Sequence, residues 1–320
     1  ASIKVLVVVV AVLTGCAYAT YLERKVLGHL QHRIGPSYAG PFGLLQPLAD
    51  GLKLIFKEDI VPASAERVTY ALAPIVSFVP ALLAFAVVPF TADFELFGHT
   101  IQGVISDLNI GILWIFAVTS LGVYGIVLAG WSSGSKYSLM GGIRSSAQMI
   151  SYEISYGPSI VGVILLANTL SMRALVEPKE SIMDWFIWKK PLGIILYLIC
   201  AIAETNRAPF DLPEAESELV AGYHTEYSSM RFSTFFVGEY AAMIAVSCVG
   251  ATIFFGGWQG PFLPPFLWFF LKVFAFMFFY IWLRATFPRF RYDQLMSFGW
   301  KVLFPLALLN TIVTAAFVML

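Results

Sequence analysis

Charged residues are scarce in this chain. Asp, Glu, Lys and Arg make up 12% of its 320 residues, whereas soluble domains carry about 25%. The 20 basic residues balance the 20 acidic ones, so no net charge attracts nucleic acid. The low fraction of charged residues and the absence of net charge exclude a soluble enzyme, a disordered tail and a nucleic-acid-binding protein.

Metal-binding and redox motifs are missing as well. Cys16, Cys200 and Cys248 are far apart and form no CxxC pair, which indicates neither zinc, an iron–sulfur cluster nor disulfides. The four histidines fall outside the long apolar runs, so no haem held between spans is expected. There is no glycine-rich phosphate loop after a strand and no nucleophile elbow. We therefore expect no metal and no bound flavin, haem or cluster in this chain.

Apolar residues are abundant instead. They make up 58% of the chain, and mean hydropathy is +0.78. A helix that crosses the hydrocarbon needs about 20 mainly apolar residues. The sequence predicts an all-α polytopic membrane protein, a single domain over 1–320 with one amphipathic helix at about 43–58 and eight transmembrane helices at about 2–22, 68–90, 108–130, 141–167, 191–206, 232–255, 266–286 and 297–318.

Lysine and arginine orient these spans. The connections after spans one, three, five and seven hold most of the basic residues, whereas the other connections hold only Arg173, Lys179, Lys189 and Lys190. By the positive-inside rule, the basic connections mark the cytoplasmic side or its mitochondrial equivalent, here called the basic face. Both termini are expected on the opposite face.

Several predicted spans contain an ionisable residue, which in a membrane is a functional hypothesis by default. Glu153 lies nine residues after Arg144, about 180° round the helix, so the two cannot pair. Gly157-Pro158, just after Glu153, is expected to loosen this helix. Glu204 and Arg207 are spaced to pair. The remaining buried candidates are Glu239, Tyr240 and Lys272.

An acidic run follows the fifth span. Four carboxylates lie within eight residues: Asp211, Glu214, Glu216 and Glu218. With Glu204, Glu153 and Glu239 they form a string from the basic face towards the middle of the membrane. Closely spaced carboxylates in a low dielectric share protons, as in a proton relay. A solvated loop or vestibule uses the same residues, and periodicity does not separate these readings.

Basic and aromatic residues interleave at the basic face. Arg284, Arg289 and Arg291 follow the seventh span with Phe287 and Phe290 among them. This mixture suits an amphipathic ligand with a polar ring and a lipid tail. A stand-alone secondary transporter or cation/proton antiporter is the alternative, since buried carboxylates and a lone lysine are typical of it. No matching pair of interrupted helices in two halves supports that alternative.

Five strings closely resemble a known family, the H-type (NuoH) membrane component of respiratory complex I, the proton-pumping NADH:quinone oxidoreductase. They are Glu23–Gly28, Arg33–Pro36, Gly43–Asp50, Glu204–Asp211 and Pro288–Met296, and the match runs in order from about residue 15 onwards. The resemblance implies eight transmembrane helices and a subunit without a redox centre of its own. It implies that this subunit forms the quinone passage and couples quinone reduction to proton translocation.

The resemblance also assigns residues and partners. It implies that the quinone passage or its entrance contains Arg24, Arg33, Asp50, Lys53, Phe232, Arg284 and Arg289. It places Asp211, Glu214, Glu216 and Glu218 in an acidic loop that faces the quinone. It implies a carboxylate channel of Glu204, Glu153 and Glu239 with Arg144, Tyr152 and Tyr240 nearby, with Arg207 in the matching string after Glu204, and it matches Lys272 to a lysine of the seventh helix.

The expected partners are quinone (ubiquinone or menaquinone), membrane lipid and the other complex I subunits. Those subunits comprise the peripheral quinone-reducing and iron–sulfur subunits, small membrane subunits and antiporter-like subunits. The string His224–Met230 and the loop Gly256–Pro261 are more typical of bacterial than of mitochondrial members. The expected location is the bacterial inner membrane with periplasmic termini, and the mitochondrial inner membrane is the alternative.

Overall fold

The computed structural model describes residues 2–96, 98–178, 181–212 and 220–319. Within these ranges the α-helices are α1 Ser2–Leu30, α2 Gln46–Phe56, α3 Arg67–Leu83, α4 Gly111–Ser132, α5 Lys136–Ala167, α6 Phe186–Lys189, α7 Pro191–Glu204, α8 Ser229–Phe255, α9 Pro265–Thr286, α10 Tyr292–Phe298 and α11 Phe304–Met319. A π-helical turn, Gly299–Leu303, joins α10 to α11. Short 3₁₀ turns cover Pro41–Gly43, Ala84–Val87, Ile182–Asp184 and Gly222–His224. The strands β1 Phe94–Leu96 and β2 His99–Ile101 pair antiparallel in a small hairpin.

The predicted all-α polytopic fold is confirmed. Seven helices in the described part of the chain are long and apolar enough to cross a membrane: Ser2–Leu30, Arg67–Val87, Gly111–Ser132, Lys136–Ala167, Ser229–Phe255, Pro265–Thr286 and Tyr292–Met319. The predicted fifth span corresponds to α7, which has 14 residues and is therefore about 21 Å long. A hydrocarbon core is about 30 Å thick, so the count of eight full spans stays a prediction.

Helix boundaries differ from the predicted ones in two informative places. The first helix continues to Leu30 rather than ending near 22, because Glu23, Arg24 and Lys25 favour a helix and no proline interrupts them. The helix α5 runs unbroken through Gly157-Pro158, so the expected loosening does not end it. Neighbouring helices of a bundle help a membrane helix to tolerate a proline. Here α11 packs against this part of α5, and Thr311 Oγ1 donates to Pro158 O over 3.0 Å.

The helix α8 lies at the centre of the bundle, with α1, α3, α7 and α9 packed around it. Most of its length is buried, whereas α1 and α11 expose large apolar side chains such as Leu6 and Ile312. Lipid is as apolar as a protein core, so an outward apolar face is stable in a bilayer. The amphipathic helix α2 has no buried residue and exposes Leu48, Leu52 and Ile55, as expected for a helix at the membrane surface.

Candidate functional site

Buried charges meet where α1, α8 and α9 approach the segment that follows α7. Glu23, only 4% exposed, lies 2.9 Å from the guanidinium of Arg207 and accepts a hydrogen bond from Arg284. The hydroxyl of Tyr240 donates to the same carboxylate over 2.7 Å. Each Glu23 oxygen therefore has a charged or hydroxyl partner, which buried charges require.

Arg207 connects this carboxylate to a second one. Its Nε lies 2.8 Å from Glu239 Oε1, an ion pair that is not aligned as a hydrogen bond, and its guanidinium lies 4.4 Å from the ring centroid of Tyr240. The expected pairing of Arg207 with Glu204 is wrong. The helix α7 ends at Glu204, and Asn206 takes a left-handed conformation (φ 52°), so the chain turns Arg207 away from the helical face.

Glu204 instead interacts with Glu153. The two carboxylates lie close enough to repel each other, Ser120 of α4 donates to Glu153, and Thr119 of α4 lies near Glu204. Oxygen Oε2 of Glu204 is enclosed and has no hydrogen-bond partner among the described residues. Both side chains are partly buried, and this arrangement of two carboxyl groups is one that can share a proton.

The segment 204–212 is fixed to the bundle on two sides. The amide of Gln148 donates to Ala203 O over 2.8 Å and to Phe210 O over 2.7 Å. Asp211, which is 4% exposed, lies 2.8 Å from Arg289. The remaining members of the predicted acidic loop, Glu214, Glu216 and Glu218, lie outside the described residues.

Three helices, α1, α2 and α8, meet beside the buried group of Glu23, Arg207, Glu239, Tyr240 and Arg284, here called the Glu23 cluster. Arg24 on α1 lies 2.6 Å from Asp50 on α2. Ser229 Oγ, at the start of α8, lies 2.9 Å from both Leu54 O and Lys57 O, which ties α8 to the end of α2. Two predicted passage residues, Arg33 and Lys53, are exposed on this side.

The described contacts of two further predicted residues, Arg144 and Lys272, are with an aromatic ring and with backbone carbonyls. The guanidinium of Arg144 lies 5.5 Å from the ring centroid of Tyr292. The amine of Lys272 donates to the carbonyls of Phe255, Gly257 and Gln259 over 2.6 to 2.8 Å, at the far end of α8. It is therefore not a lone lysine, and its contacts are those of a helix C-terminal cap.

Phe232 packs in an aromatic cluster around a buried histidine. The ring of His224 lies 5.4 Å from that of Phe232 and 4.9 Å from that of Tyr223. Nδ1 of His224 has no hydrogen-bond partner in the described structure. Burial lowers the pKa of His224 from 6.5 to about 4, so the imidazole is neutral near pH 7.

We expect this histidine to make the connection before α8 sensitive to acid. The unfolded chain binds a proton on His224 below pH 6.5, whereas the folded chain binds it only near pH 4. The free energy of folding that the neutral His224 preserves is therefore complete above pH 6.5. It decreases as the pH falls from 6.5 to 4, by about 3 kcal/mol at most. Amide hydrogen exchange over residues 220–235, corrected for intrinsic rates, should accelerate at pH 5 relative to pH 7.5. The acceleration should vanish in His224→Gln and persist in His99→Gln, which alters an exposed histidine; equal acceleration in both variants would contradict the assignment.

Sequence reasoning misses two residues of the site as candidates. Glu23 belongs to a string expected at the membrane surface, because the predicted first span ends before it. Gln148 is fully buried and holds the segment after α7, but an uncharged amide gives no signal in a search for ionisable residues. Within the described ranges, no group of three or more His, Cys, Asp or Glu side chains could hold a metal ion.

Comparison with known proteins gives a consistent result. The profile of the NADH dehydrogenase family matches residues 3–315. An H-type subunit of the NADH-quinone oxidoreductase of Geobacter sulfurreducens is 54% identical, covering 99% of this chain and 94% of that protein. The corresponding NADH-quinone oxidoreductase subunit of Protochlamydia amoebophila is 56% identical, covering 95% and 93%.

Proposed function

The chain belongs to the NADH dehydrogenase family, as an H-type subunit of the membrane-bound NADH-quinone oxidoreductase, and from that premise we propose that it forms the quinone passage and couples quinone reduction to proton translocation. Quinone is the substrate of this oxidoreductase family, and other subunits of the complex are the expected partners. The similar proteins come from bacteria, and the apolar helices make this a multi-pass bacterial membrane protein. We propose that both termini face the periplasm.

The frame of α1, α2 and α8 supports the passage. Its links, Arg24 to Asp50 and Ser229 to the end of α2, hold an amphipathic helix against two spans. A lipid-tailed quinone needs an apolar route from the bilayer and a polar group for its ring. The exposed leucines of α2 provide the first, and the arginines of the Glu23 cluster provide the second. The peripheral quinone-reducing and iron–sulfur subunits would supply electrons and complete the chamber.

The observation that carries the coupling is the short segment after α7. Only Thr205 and Asn206 separate Glu204, which interacts with Glu153, from Arg207, which bridges Glu23 and Glu239. A charge that changes at the Glu23 cluster displaces or reorients Arg207, and that movement reaches Glu204 through the intervening backbone. Antiporter-like and small membrane subunits would receive the change from the carboxylate pair.

Coulomb energies are large enough for this coupling. Two unit charges about 8 Å apart interact by roughly 2 kcal/mol at an effective dielectric of 20. That energy exceeds the 1.36 kcal/mol that corresponds to one pKa unit. Negative charge left by the reduced quinone therefore suffices to change the proton occupancy of nearby carboxylates.

Arg289→Ala tests the passage. Arg289 holds the buried Asp211, and Phe290 N donates to Pro209 O over 3.1 Å, so this contact fixes the segment that would face the quinone. Loss of one charge-assisted hydrogen bond should raise the KM for a short-tailed quinone about tenfold, or about 1.4 kcal/mol. Arg291→Ala is the matched control, because Arg291 is exposed and pairs locally with Asp293. An unchanged KM in Arg289→Ala would argue against this passage.

Purification tests the assignment to the complex itself. Membranes solubilised in mild detergent should yield this chain together with flavin and iron–sulfur absorbance contributed by its partners. A chain that purifies alone from every mild detergent, and exchanges cations for protons in vesicles, would instead support the alternative of a stand-alone secondary transporter or cation/proton antiporter.

A further inference from the structure

A stripe of small and polar residues runs along one buried face of α5. Its members are spaced mainly by three and four residues, which places them on one helical face, and each is buried: Ser145, Gln148, Tyr152, Ser155, Ser159 and Gly162. A helix that faced only apolar neighbours would have aliphatic residues there. The stripe extends past the carboxylate pair towards the opposite face of the membrane.

Polar side chains from two other helices meet the far end of this stripe. Asn310 and Thr314 on α11 are 7% and 0% exposed, and Lys190, just before α7, donates to Thr314 Oγ1. Gly162 and Gly193 lie beside the amide of Asn310, since a Cβ at these positions would lie 3.5 and 3.6 Å from Asn310 Nδ2, an ordinary contact distance. The side chains of Asn310, Thr314 and Lys190 and the end of the stripe on α5 are here called the polar group. Lys190 is partly exposed, so the polar group reaches solvent.

Several of these buried atoms have no protein partner. Ser155 Oγ and Asn310 Nδ2 are enclosed without a hydrogen bond in the described structure. An unsatisfied buried polar group costs about 1–3 kcal/mol. Buried water removes that cost where a site is roomy, polar and offers two to four partners, and Asn310, Thr314 and Lys190 supply polar partners at this place.

Two tyrosines connect the carboxylate pair to this polar group. The rings of Tyr156 and Tyr197 lie 5.2 Å apart. Tyr156 is three residues after Glu153 on α5, and Tyr197 is seven residues before Glu204 on α7, so each tyrosine shares a helical face with one of the carboxylates. Ser159 lies one turn beyond Tyr156 and donates to its carbonyl over 2.6 Å. Ser159 O is 3.3 Å from the position of a Cβ on Gly193, next to Asn310. Polar side chains of α5 therefore lie between the two tyrosines and Asn310, which leaves bridging water to complete any path from Glu204 to Lys190.

We propose that this polar group is a hydrated proton path from the Glu153–Glu204 pair to the membrane face opposite the basic loops. The inference rests on the proposed function, because the carboxylate pair supplies the proton. The carboxyl group gives its proton to the chain of hydroxyls and water, each oxygen accepts one proton and donates another, and Lys190 exchanges a proton with solvent. An amine can make this exchange, whereas a guanidinium remains protonated.

Matched variants test the path in the assembled complex, reconstituted in vesicles. Thr314→Val and Lys190→Arg should lower the number of protons translocated per NADH oxidised, while uncoupled quinone reduction stays within about twofold of wild type. The control for the first is Thr252→Val, because Thr252 is equally buried and donates to its own helix over 2.7 Å as Thr314 does over 2.6 Å. The control for the second is Lys189→Arg. An unchanged number of protons per NADH in both Thr314→Val and Lys190→Arg would overturn the proton path. Normal pumping in Glu153→Gln and Glu204→Gln would overturn the proposed function instead.

Accessibility gives a second measurement should Thr314→Val fail to assemble. A small water-soluble thiol reagent, added from the face opposite the basic loops, should modify Asn310→Cys. It should not modify Ala307→Cys, because Ala307 is fully buried one turn deeper on the same helix. The native Cys16, Cys200 and Cys248 are buried, and the wild-type chain measures their background. Equal, slow modification at positions 310 and 307 would show that the proposed path is dry.

Discussion

Glu153→Gln and Glu204→Gln should each abolish quinone reduction and proton translocation together. Glutamine keeps the shape and hydrogen-bonding capacity of the side chain but cannot carry the proton that the pair shares. Loss of a proton-transferring group costs about 100-fold or more in rate. Because reduction and translocation are proposed to proceed through the same proton, neither should persist without the other. NADH oxidation with a short-tailed quinone and a pH-sensitive dye in membrane vesicles measure both.

The control for this prediction is Glu95→Gln, which removes an exposed carboxylate on the β-hairpin. It should leave both activities at the wild-type level. Retention of normal pumping in Glu153→Gln and Glu204→Gln would falsify the role of the pair. Rapid quinone reduction without pumping would place the pair on the proton route alone and remove it from the control of reduction.

Arg207→Ala should destabilise the subunit by about 3–5 kcal/mol, the usual effect of removing one partner from a buried ion pair. Glu23 and Glu239 would lose the guanidinium between them, and Tyr240 would lose its cation–π contact. We expect little of this variant in membranes and a marked fall in the thermal midpoint of the complex that does assemble.

Arg173→Ala isolates the contribution of burial to that result. Arg173 also bridges two carboxylates, 2.9 Å from Asp93 and 2.8 Å from Glu177, but its side chain is 25% exposed against 5% for Arg207. Exposed ion pairs contribute about 0–1 kcal/mol, so this variant should accumulate almost normally. Equal losses in the two variants would show that burial does not set the cost.

Local sequence patterns are sufficient to predict most of the bundle. Apolar runs of membrane length predict all seven long spans, and helical spacing of leucines predicts the surface helix that the structure has at Gln46–Phe56. The hydrocarbon imposes one requirement on every span, namely that it satisfy its own backbone. Such a requirement acts within a segment and is visible in its composition.

Pairings between segments are not predictable in the same way. Glu23 and Arg207 are 184 residues apart, and their contact depends on how α1, α8 and α9 pack. Spacing favours Glu204 with Arg207, but a left-handed Asn206 separates them. Lys272 is an isolated charge in the sequence, whereas its three carbonyl partners come from the end of another helix. A residue's partners in a bundle depend on tertiary packing, which its own neighbourhood in sequence does not encode.

The shortness of α7 has an electrical consequence. With 14 residues it is about 21 Å long, against a hydrocarbon layer about 30 Å thick. If α7 is the predicted fifth span and begins at the face opposite the basic loops, Glu204 at its end lies below the basic face. Any aqueous recess that reaches Glu204 would concentrate the transmembrane voltage into the thinner insulating layer that remains. A proton that crosses this layer would then cross nearly the full membrane potential, which corresponds to about 2.3 kcal/mol for each 100 mV. Turnover should therefore slow steeply as the membrane becomes energised, in proportion to the charge that crosses beside this one short helix.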